Sequence, residues 1–156
     1  MRVTVIAVGT RMPAWIAQGV QEYQKRLPRE LKLGWREIPV ARRVGDAGAG
    51  ELCAREGTQI LKALPAGDRV IALDVGGRRL STEALADELR NWLMSGENYS
   101  FLVGGPDGLS RACIDRADER WSLSDLTLPH PLVRVVLAEQ LYRAWTIVAR
   151  HPYHRS

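Results

Sequence analysis

Residues 99–110, with the sequence YSFLVGGPDGLS, join an apolar run to a glycine-rich turn. The run from Tyr99 to Val103 has the composition of a strand that is covered on both faces of a sheet. Gly104 and Gly105 follow it directly, and adjacent glycines let the backbone turn sharply or let a ligand approach because they carry no Cβ. We therefore expect the end of this strand to be either a ligand-binding edge or a tight turn.

Similar apolar runs recur along the chain and alternate with amphipathic segments. The predicted strands are 3–9, 33–40, 69–75 and 99–104, with a shorter one near 123–128. The predicted helices are 13–27, 51–64, 82–95, 110–119 and 131–150, the third with Ser81 or Thr82 as its N-cap. Continuous apolar strands that alternate with helices predict an α/β fold with a parallel sheet.

Length and composition limit the class of protein. A chain of 156 residues with 46% hydrophobic content can form one domain, 1–156, with its own core. Cys53 and Cys113 match no metal-binding spacing, so we expect reduced, buried thiols and no bound metal. No apolar run approaches the roughly 20 residues of a membrane span. Because the N-terminal stretch also lacks the flanks of a signal peptide, we expect a cytoplasmic protein without a membrane partner.

The charge balance is mildly basic. The net charge is +4, and all but three of the 22 basic residues are arginine. Guanidinium groups pair with phosphate and stack on bases, so this balance suits a nucleic-acid partner, although a genome that favours arginine explains it equally well. The glycine-rich stretch 41–50 is predicted to be a mobile loop, in which Arg42 and Arg43 are either phosphate contacts or a solvated pair.

The last predicted helix is apolar over a wide arc. Val133, Leu137, Leu141 and Trp145 form one row, and a second row lies beside it: Val135, Ala138, Tyr142 and Ala149. Such an arc needs more cover than one sheet face provides, which predicts a homodimer. The alternative is a helix that is buried wholly within its own subunit.

Three segments are expected at the carboxyl edge of the sheet, where open α/β sheets bind ligands. They are 73–77, 102–108 and 121–131. The third is rich in leucine and hydroxyl residues and closes with Pro-His-Pro, so regular structure cannot satisfy all of its backbone groups. Such a loop can hold a nucleoside through main-chain hydrogen bonds and leucine contacts.

These segments also carry a family resemblance. The strings GGPDGLS (104–110), WSLSDLTLPHPLVRVVLAEQLYRAW (121–145) and HPYHR (151–155), with the opening VTVIAVGTRMPAWIAQGVQEY (3–23), resemble the ribosomal RNA large subunit methyltransferase H family of the SPOUT superfamily. The likeness covers essentially the whole chain. These long strings are far more specific than a glycine motif alone.

The resemblance implies both a fold and a reaction. The fold would be a homodimeric SPOUT-type α/β domain, a parallel sheet flanked by helices, whose C-terminal part forms a deep trefoil knot around bent S-adenosyl-L-methionine. From the residues alone an ordinary open sheet would be expected, because knots are rare. The reaction would be methylation of N3 of pseudouridine 1915 in helix 69 of 23S rRNA, on the assembled ribosome. Two alternatives are a non-catalytic, ribosome-associated RNA-binding dimer and a flavodoxin-like nucleotide enzyme.

By resemblance, the cofactor would contact a defined set of positions. They are Leu73, Gly104, Gly105 and the backbone of Ser122, Leu123, Ser124, Asp125, Leu126, Thr127 and Leu128. Leucines would flank the adenine, glycines would admit the ribose and methionine, and main-chain groups would read the adenine edge. The alternatives are a core position for Leu73 and a simple turn at the glycines.

The candidate catalytic residues follow the cofactor loop. His130 can hold the target base or remove its proton, or it can tie the loop to the helix. Tyr153 and Arg155 in the tail can stack on an unpaired base and grip its backbone, whereas the alternative is a frayed terminus.

Four charged residues near the expected site have open roles. Arg134 and Arg143 point to different faces of the last helix and would meet RNA phosphate, a partner subunit or solvent. Asp107 and Glu139 would form an ion pair with arginine or act as a base.

Overall fold

The computed structural model describes residues 1–43 and 45–155, with Arg155 described only at its backbone. The described residues form a five-stranded parallel sheet in the order β2-β1-β4-β3-β5. The strands are β1 (Arg2–Val8), β2 (Lys32–Ile38), β3 (Arg69–Arg79), β4 (Tyr99–Val103) and β5 (Glu119–Ser122). The helices are α1 (Ala14–Gln24), α2 (Ala49–Ala63), α3 (Thr82–Ser95), α4 (Arg111–Arg116) and α5 (His130–Val148), followed by a 3₁₀ turn (Pro152–Arg155). The predicted α/β class and parallel sheet are confirmed.

Side-chain alternation along the strands builds a separate core on each face of the sheet. In β1, Val3, Val5 and Ala7 pack in the cluster that contains α3 and α5 and that α1 borders. Ile6 and Val8 point to the opposite face, in the cluster that contains Ile60 of α2 and Cys113 of α4. Helices therefore cover both faces, as the continuous apolar runs predict.

Helix α5 lies between α1 and α3 and packs against both. None of its residues from 130 to 148 is fully exposed in the single chain. The two flanking helices thus supply the cover that the sheet face alone cannot give. Val133, Val135 and Trp145 of the predicted apolar rows are nevertheless only half-buried in the single chain, and the homodimer stays a prediction.

The prediction of a strand near 123–128 is wrong, because the fifth strand is Glu119–Ser122. Trp121 is buried beside Trp92 and Phe101, with ring centroids 5.7 Å from each, so its ring holds this shorter stretch on the sheet. The leucines after Ser122 line a cavity instead. Strand β3 also runs four residues beyond the predicted end, since its pairing with β5 resumes after an irregularity between Leu73 and Arg78.

The connection from β5 to α5 passes from one face of the sheet to the other. Helix α4, before β5, packs on α2, whereas α5 packs on α1 and α3. The connecting segment 123–129 therefore crosses the carboxyl edge, where β3 and β4 also end. Three loops meet there.

Several helix starts follow local chemistry. The Ser81 hydroxyl accepts a hydrogen bond from the N–H of Ala84 at 3.1 Å, which identifies Ser81 as the N-cap of α3. Ser110 caps α4 in the same way, through the N–H of Cys113 at 3.2 Å. Cys53 and Cys113 are both buried and free, as predicted. Within the described ranges, no helix is long and apolar enough to span a membrane, and no cluster of side chains is suited to a metal ion.

Candidate active site

A cavity of about 640 Å³ opens at the carboxyl edge of the sheet, a volume typical of small-molecule sites. Its walls come from the irregular stretch of β3 that begins at Leu73, from the ends of β4 and β5 with the loops that follow them, and from the first turn of α5. The lining residues are Leu73, Asp74, Val75, Val103, Gly104, Gly105, Pro106, Gly108, Leu109, Ser122, Leu123, Ser124, Leu126, Thr127, Leu128, Pro129, His130 and Val133.

Nine of the ten positions assigned to the cofactor by resemblance line this cavity. The exception is Asp125, which does not belong to the lining. Its carboxylate pairs with Arg79 at 2.7 Å, and its side chain is 68% exposed. Asp74, Val75 and Pro106 also line the cavity and lie in the segments 73–77 and 102–108 that were expected at this edge, whereas Leu109 and Val133 lie outside the predicted segments.

The glycine turn after β4 is compact because its own backbone requires it. A Cβ at Gly104 would lie 2.5 Å from the carbonyl carbon of Gly108, and one at Gly105 would lie 2.9 Å from Val8 Cγ1. Gly108 has a φ of 81° and donates its N–H to the carbonyl of Gly105 at 3.0 Å. Gly104 and Gly105 therefore close a tight turn, and this turn also forms part of the cavity wall.

The loop that follows β5 leaves most of its backbone free. The Ser122 hydroxyl donates to the carbonyl of Ser124 at 3.0 Å, and the N–H of Leu126 donates to the Ser124 hydroxyl at 2.9 Å. Between described residues, no other hydrogen bond involves the backbone of 123–128. Amide and carbonyl groups beside leucine side chains can bind a flat, polar-edged ring.

His130 begins α5 and borders the cavity. Its Nδ1 is buried and has no hydrogen-bond partner among the described residues. Its Cε1 lies 3.3 Å from the point that a Cβ on Gly9 would occupy. Burial lowers the pKa of His130, the nearby Arg134 charge lowers it further, and Glu56 opposes both. The imidazole is therefore held neutral and can accept a proton.

Arg134 lies one helical turn after His130 and is only 4% exposed. Its Nη1 pairs with the Glu37 carboxylate at 2.5 Å, and its Nη2 donates to the carbonyl oxygens of Gly9 at 2.7 Å and Val8 at 3.4 Å. The expectation that Arg134 meets RNA, a partner or solvent is wrong. The side chain instead ties α5 to the ends of β1 and β2.

Comparison with known proteins shows the family to which this chain belongs. The family model described as "Predicted SPOUT methyltransferase" matches residues 1–154. Relatives include proteins of Hahella chejuensis (56% identical over 156 residues), Marinomonas sp. (54% over 155) and Saccharophagus degradans (55% over 155). Each alignment covers 99–100% of this chain and the whole relative, and each relative is named "Ribosomal RNA large subunit methyltransferase H". This chain belongs to the ribosomal RNA large subunit methyltransferase H family.

In this SPOUT methyltransferase the C-terminal tail docks on its own helix α5. The Tyr153 hydroxyl donates to Glu139 at 3.1 Å, and the Arg143 guanidinium lies 4.8 Å from the centre of the Tyr153 ring. Glu139 also pairs with Arg143 at 2.7 Å, so the expected ion pair to an arginine is confirmed. Burial and the bond to Glu139 raise the pKa of Tyr153 to about 12, which keeps its hydroxyl protonated at neutral pH.

Tyr153 therefore lies away from the cavity of its own methyltransferase chain. Its partner Glu139 is nine residues after His130 in α5, a rise of about 14 Å along the helix. Tyr153 is not part of the described cavity lining, and the Arg155 side chain lies outside what the structure describes. Tyr153 is therefore not placed to act in the cavity of its own chain.

Proposed function

We propose that this methyltransferase transfers a methyl group from S-adenosyl-L-methionine to N3 of pseudouridine 1915 in helix 69 of 23S rRNA. The substrate is the assembled ribosome in the cytoplasm, and the active form is a homodimer. The observation that carries the proposal is the loop 123–128, whose unpaired backbone groups and leucines border a cavity of about 640 Å³. The names of the relatives support ribosomal RNA as the substrate.

The cavity fits an adenosyl group in its chemistry. Leu73, Leu123 and Leu128 offer apolar cover for a flat ring, and the free amide and carbonyl groups of 123–128 can read its polar edge. Gly104 and Gly105 present backbone without side chains to the remainder of the cofactor. When bound, S-adenosyl-L-methionine supplies a methyl group on a positively charged sulfur.

The residues of this chain have to prepare the ring nitrogen that receives the methyl group. Transfer requires loss of the N3 proton, alignment of the nitrogen with the methyl, and stabilisation of the resulting anion. His130, which lines the cavity, holds the base or accepts the N3 proton on its imidazole, which its lowered pKa keeps neutral at neutral pH. Otherwise the proton passes to water, because an imide proton is acidic enough for electrostatic stabilisation to suffice.

The tail completes the site in the partner subunit. The described residues form one five-stranded sheet with its helices, and in this proposal the tail and loops of one subunit contact RNA at the cavity of the other. Tyr153 offers a ring for stacking, and Arg155 offers a guanidinium for the RNA backbone. This limited RNA-binding surface accounts for a need for the whole ribosome as a guide.

We also propose that the C-terminal part is tied in the trefoil knot of SPOUT proteins. Segment 123–129 crosses the sheet edge at the point where the chain passes from β3 into α3. A knot results if the segment passes inside that connection. Stretching single molecules from their termini tests this, because a knotted chain stops short of its full contour length and an unknotted chain reaches it.

The deciding experiment is transfer of a labelled methyl group from S-adenosyl-L-methionine to ribosomes that lack the modification. Protein-free 23S rRNA is assayed in parallel, and the labelled nucleoside is mapped. We expect label at N3 of pseudouridine 1915 on ribosomes and none on free RNA. A folded protein that labels neither substrate would contradict the proposal and would instead indicate a non-catalytic RNA-binding dimer.

A further inference from the structure

Ion pairing divides the carboxyl edge of the sheet into two electrostatically different halves. On the side of β3 and β5, arginines are paired with carboxylates. Arg78 pairs with Glu88 at 3.0 Å and Glu119 at 3.2 Å, and Arg79 pairs with Asp125 at 2.7 Å. Arg120 pairs with Asp74 at 3.4 Å. This half presents little net charge to an approaching polyanion.

The side of β1 and β2 carries arginines without such partners. Arg11 follows β1, and Arg42 and Arg43 follow β2. All three are exposed, and none makes an ion pair with a described residue, whereas most other described arginines do. The two loops, 9–13 and 39–48, contain one acidic residue, Asp46. At this carboxyl edge, unpaired positive charge is therefore concentrated on the half formed by β1 and β2.

The backbone at Arg11 is in an unfavourable conformation. Its φ is 55°, in the left-handed region that costs a residue with a Cβ on the order of 1 kcal/mol. Arg150, with a φ of 57°, ends α5, where helices commonly adopt this conformation. Arg11 ends no helix. Its conformation instead belongs to a turn that leaves its side chain exposed at the edge.

Both loops are attached to fixed points. The N–H of Gly9 donates to the carbonyl of Ile38 at 2.6 Å, which joins the two loops at their bases. The N–H of Ala41 donates to the Glu56 carboxylate at 2.9 Å, and Glu56 is only 5% exposed in α2. Arg42 thus follows directly after an anchored residue. The loops can hold charge at a defined place.

This half of the edge begins at the wall of the cavity. His130 Cε1 lies 3.3 Å from the position of a Cβ on Gly9, and Gly9 is two residues before Arg11. A polynucleotide with one nucleotide at His130 can therefore extend over the ends of β1 and β2. Its phosphates would meet unpaired guanidinium groups, which bind phosphate in a bidentate manner.

We propose that Arg11, Arg42 and Arg43 form a phosphate-binding edge that docks the RNA backbone flanking the target nucleotide. The inference rests on the proposed function for its choice of RNA as the partner. The phosphate-binding edge positions RNA and carries no sequence information, because phosphate contacts are the same for every sequence. Docking at this edge orients the target base toward the cavity of the same subunit.

The test compares Arg11→Gln/Arg42→Gln/Arg43→Gln with Arg29→Gln. Arg29 is also exposed and without an ion pair among described residues, but it precedes β2 at the opposite edge of the sheet. Binding to ribosomes that lack the modification, the substrate of the proposed function, is measured between about 50 and 200 mM salt. Calorimetric binding of S-adenosyl-L-methionine shows whether each variant retains its cavity.

We expect the triple variant to bind these ribosomes roughly tenfold to a hundredfold more weakly, with the slope of log affinity against log salt reduced by about 2. Arg29→Gln and cofactor binding stay at the wild-type level. A triple variant with the salt slope of Arg29→Gln overturns the inference alone, whereas a wild-type protein that does not bind these ribosomes contradicts both the inference and the proposed function. A protein that binds RNA through this edge but transfers no methyl group contradicts only the proposed function.

Discussion

His130 and Arg134 lie one turn apart in α5 and meet the same residue, Gly9. The Arg134 guanidinium and the His130 ring each lie 3.3 Å from the position of a Cβ on Gly9. A side chain at Gly9 would also face a φ of 118°. The carboxyl end of β1 therefore fixes the imidazole and the arginine together. Two consequences can be measured at single residues.

The first is the titration of His130. Burial and the Arg134 charge lower its pKa below the ordinary value of 6.5, so the unfolded chain binds this proton more readily than the folded one. The contribution of neutral His130 to the free energy of unfolding is therefore complete above pH 6.5. This contribution is lost as the pH falls from 6.5 through the lower pKa of the folded state. NMR of the ring Cε1–H should show a midpoint below 6.5. A midpoint at or above 6.5 would contradict the proposed neutral acceptor.

The second is the effect of Arg134→Met. The substitution leaves Glu37 without its partner and frees the carbonyls of Val8 and Gly9. Because the Glu37 side chain is 41% exposed and can be hydrated, we expect the free energy of unfolding to fall by about 2 to 3 kcal/mol, below the cost of a fully buried pair. Urea denaturation measures this loss.

A double-mutant cycle separates the ion pair from the rest of the Arg134 side chain. In the Arg134→Met background, Glu37→Gln should cost less than it does in the wild type, since the pair is already broken. Equal costs of Glu37→Gln in the two backgrounds would show that the pair contributes no coupling energy.

At the scale of the element, two glycine substitutions test the turn after β4. One lies in the turn, and the other lies in β2 and serves as the control. Gly104→Ala places a Cβ 2.5 Å from backbone that cannot move away easily, so we expect a loss of about 2 kcal/mol in unfolding free energy and weaker cofactor binding. Gly34→Ala in β2 meets no atom within 4 Å and should leave both unchanged or slightly improved. Thermal denaturation and calorimetric titration measure the two effects. Equal behaviour of the two variants would show that the turn adapts to a side chain.

The strands and helices were predictable from the sequence where burial alone decides them. The apolar runs of β1, β3 and β4 predict buried strands, and the sequence around Ser81 predicts the start of α3. The fifth strand was missed because its place depends on the Trp121 ring packing against Trp92 and Phe101, which are distant in sequence. The leucines after it resemble a strand in composition but turn toward the cavity.

The candidate site was likewise predictable from the sequence only in part. Gly104, Gly105 and the loop 122–128 follow strands, so their place at the carboxyl edge was predictable. The role of Arg134 was not, because helical spacing shows which face a residue occupies but not what lies opposite. Its partner Glu37 is 97 residues away in the chain.

At the scale of the whole molecule, the proposed homodimer predicts complementation between two inactive chains. Deletion of 151–156 removes the tail and should abolish transfer while sparing most cofactor binding. Leu126→Arg places a longer, charged side chain at the wall of the cavity and should obstruct it. Because the Leu126 side chain is 75% exposed, the substitution should leave folding unchanged. A heterodimer of the two chains keeps one intact cavity and one intact tail on different subunits.

We expect this heterodimer to recover about half of the wild-type activity in the methyl-transfer assay, because one of two composite sites is restored. The control pairs the truncated chain with a chain that carries both changes, and it should stay inactive. Recovery in neither mixture, or full activity of the truncated homodimer, would show that the tail does not act in the partner's cavity.

The position of α5 between α1 and α3 also determines when the chain can fold. This helix is made after every strand that it covers, yet it covers the middle of one sheet face. Strand β1 can pair with β2 early but obtains its second neighbour only with β4, whose Tyr99 pairs with Val3. During synthesis, an apolar groove therefore remains open until the final residues leave the ribosome. Folding should be slow and post-translational, as parallel pairing of distant strands requires, and the nascent chain should be a client of chaperones that bind exposed apolar surface.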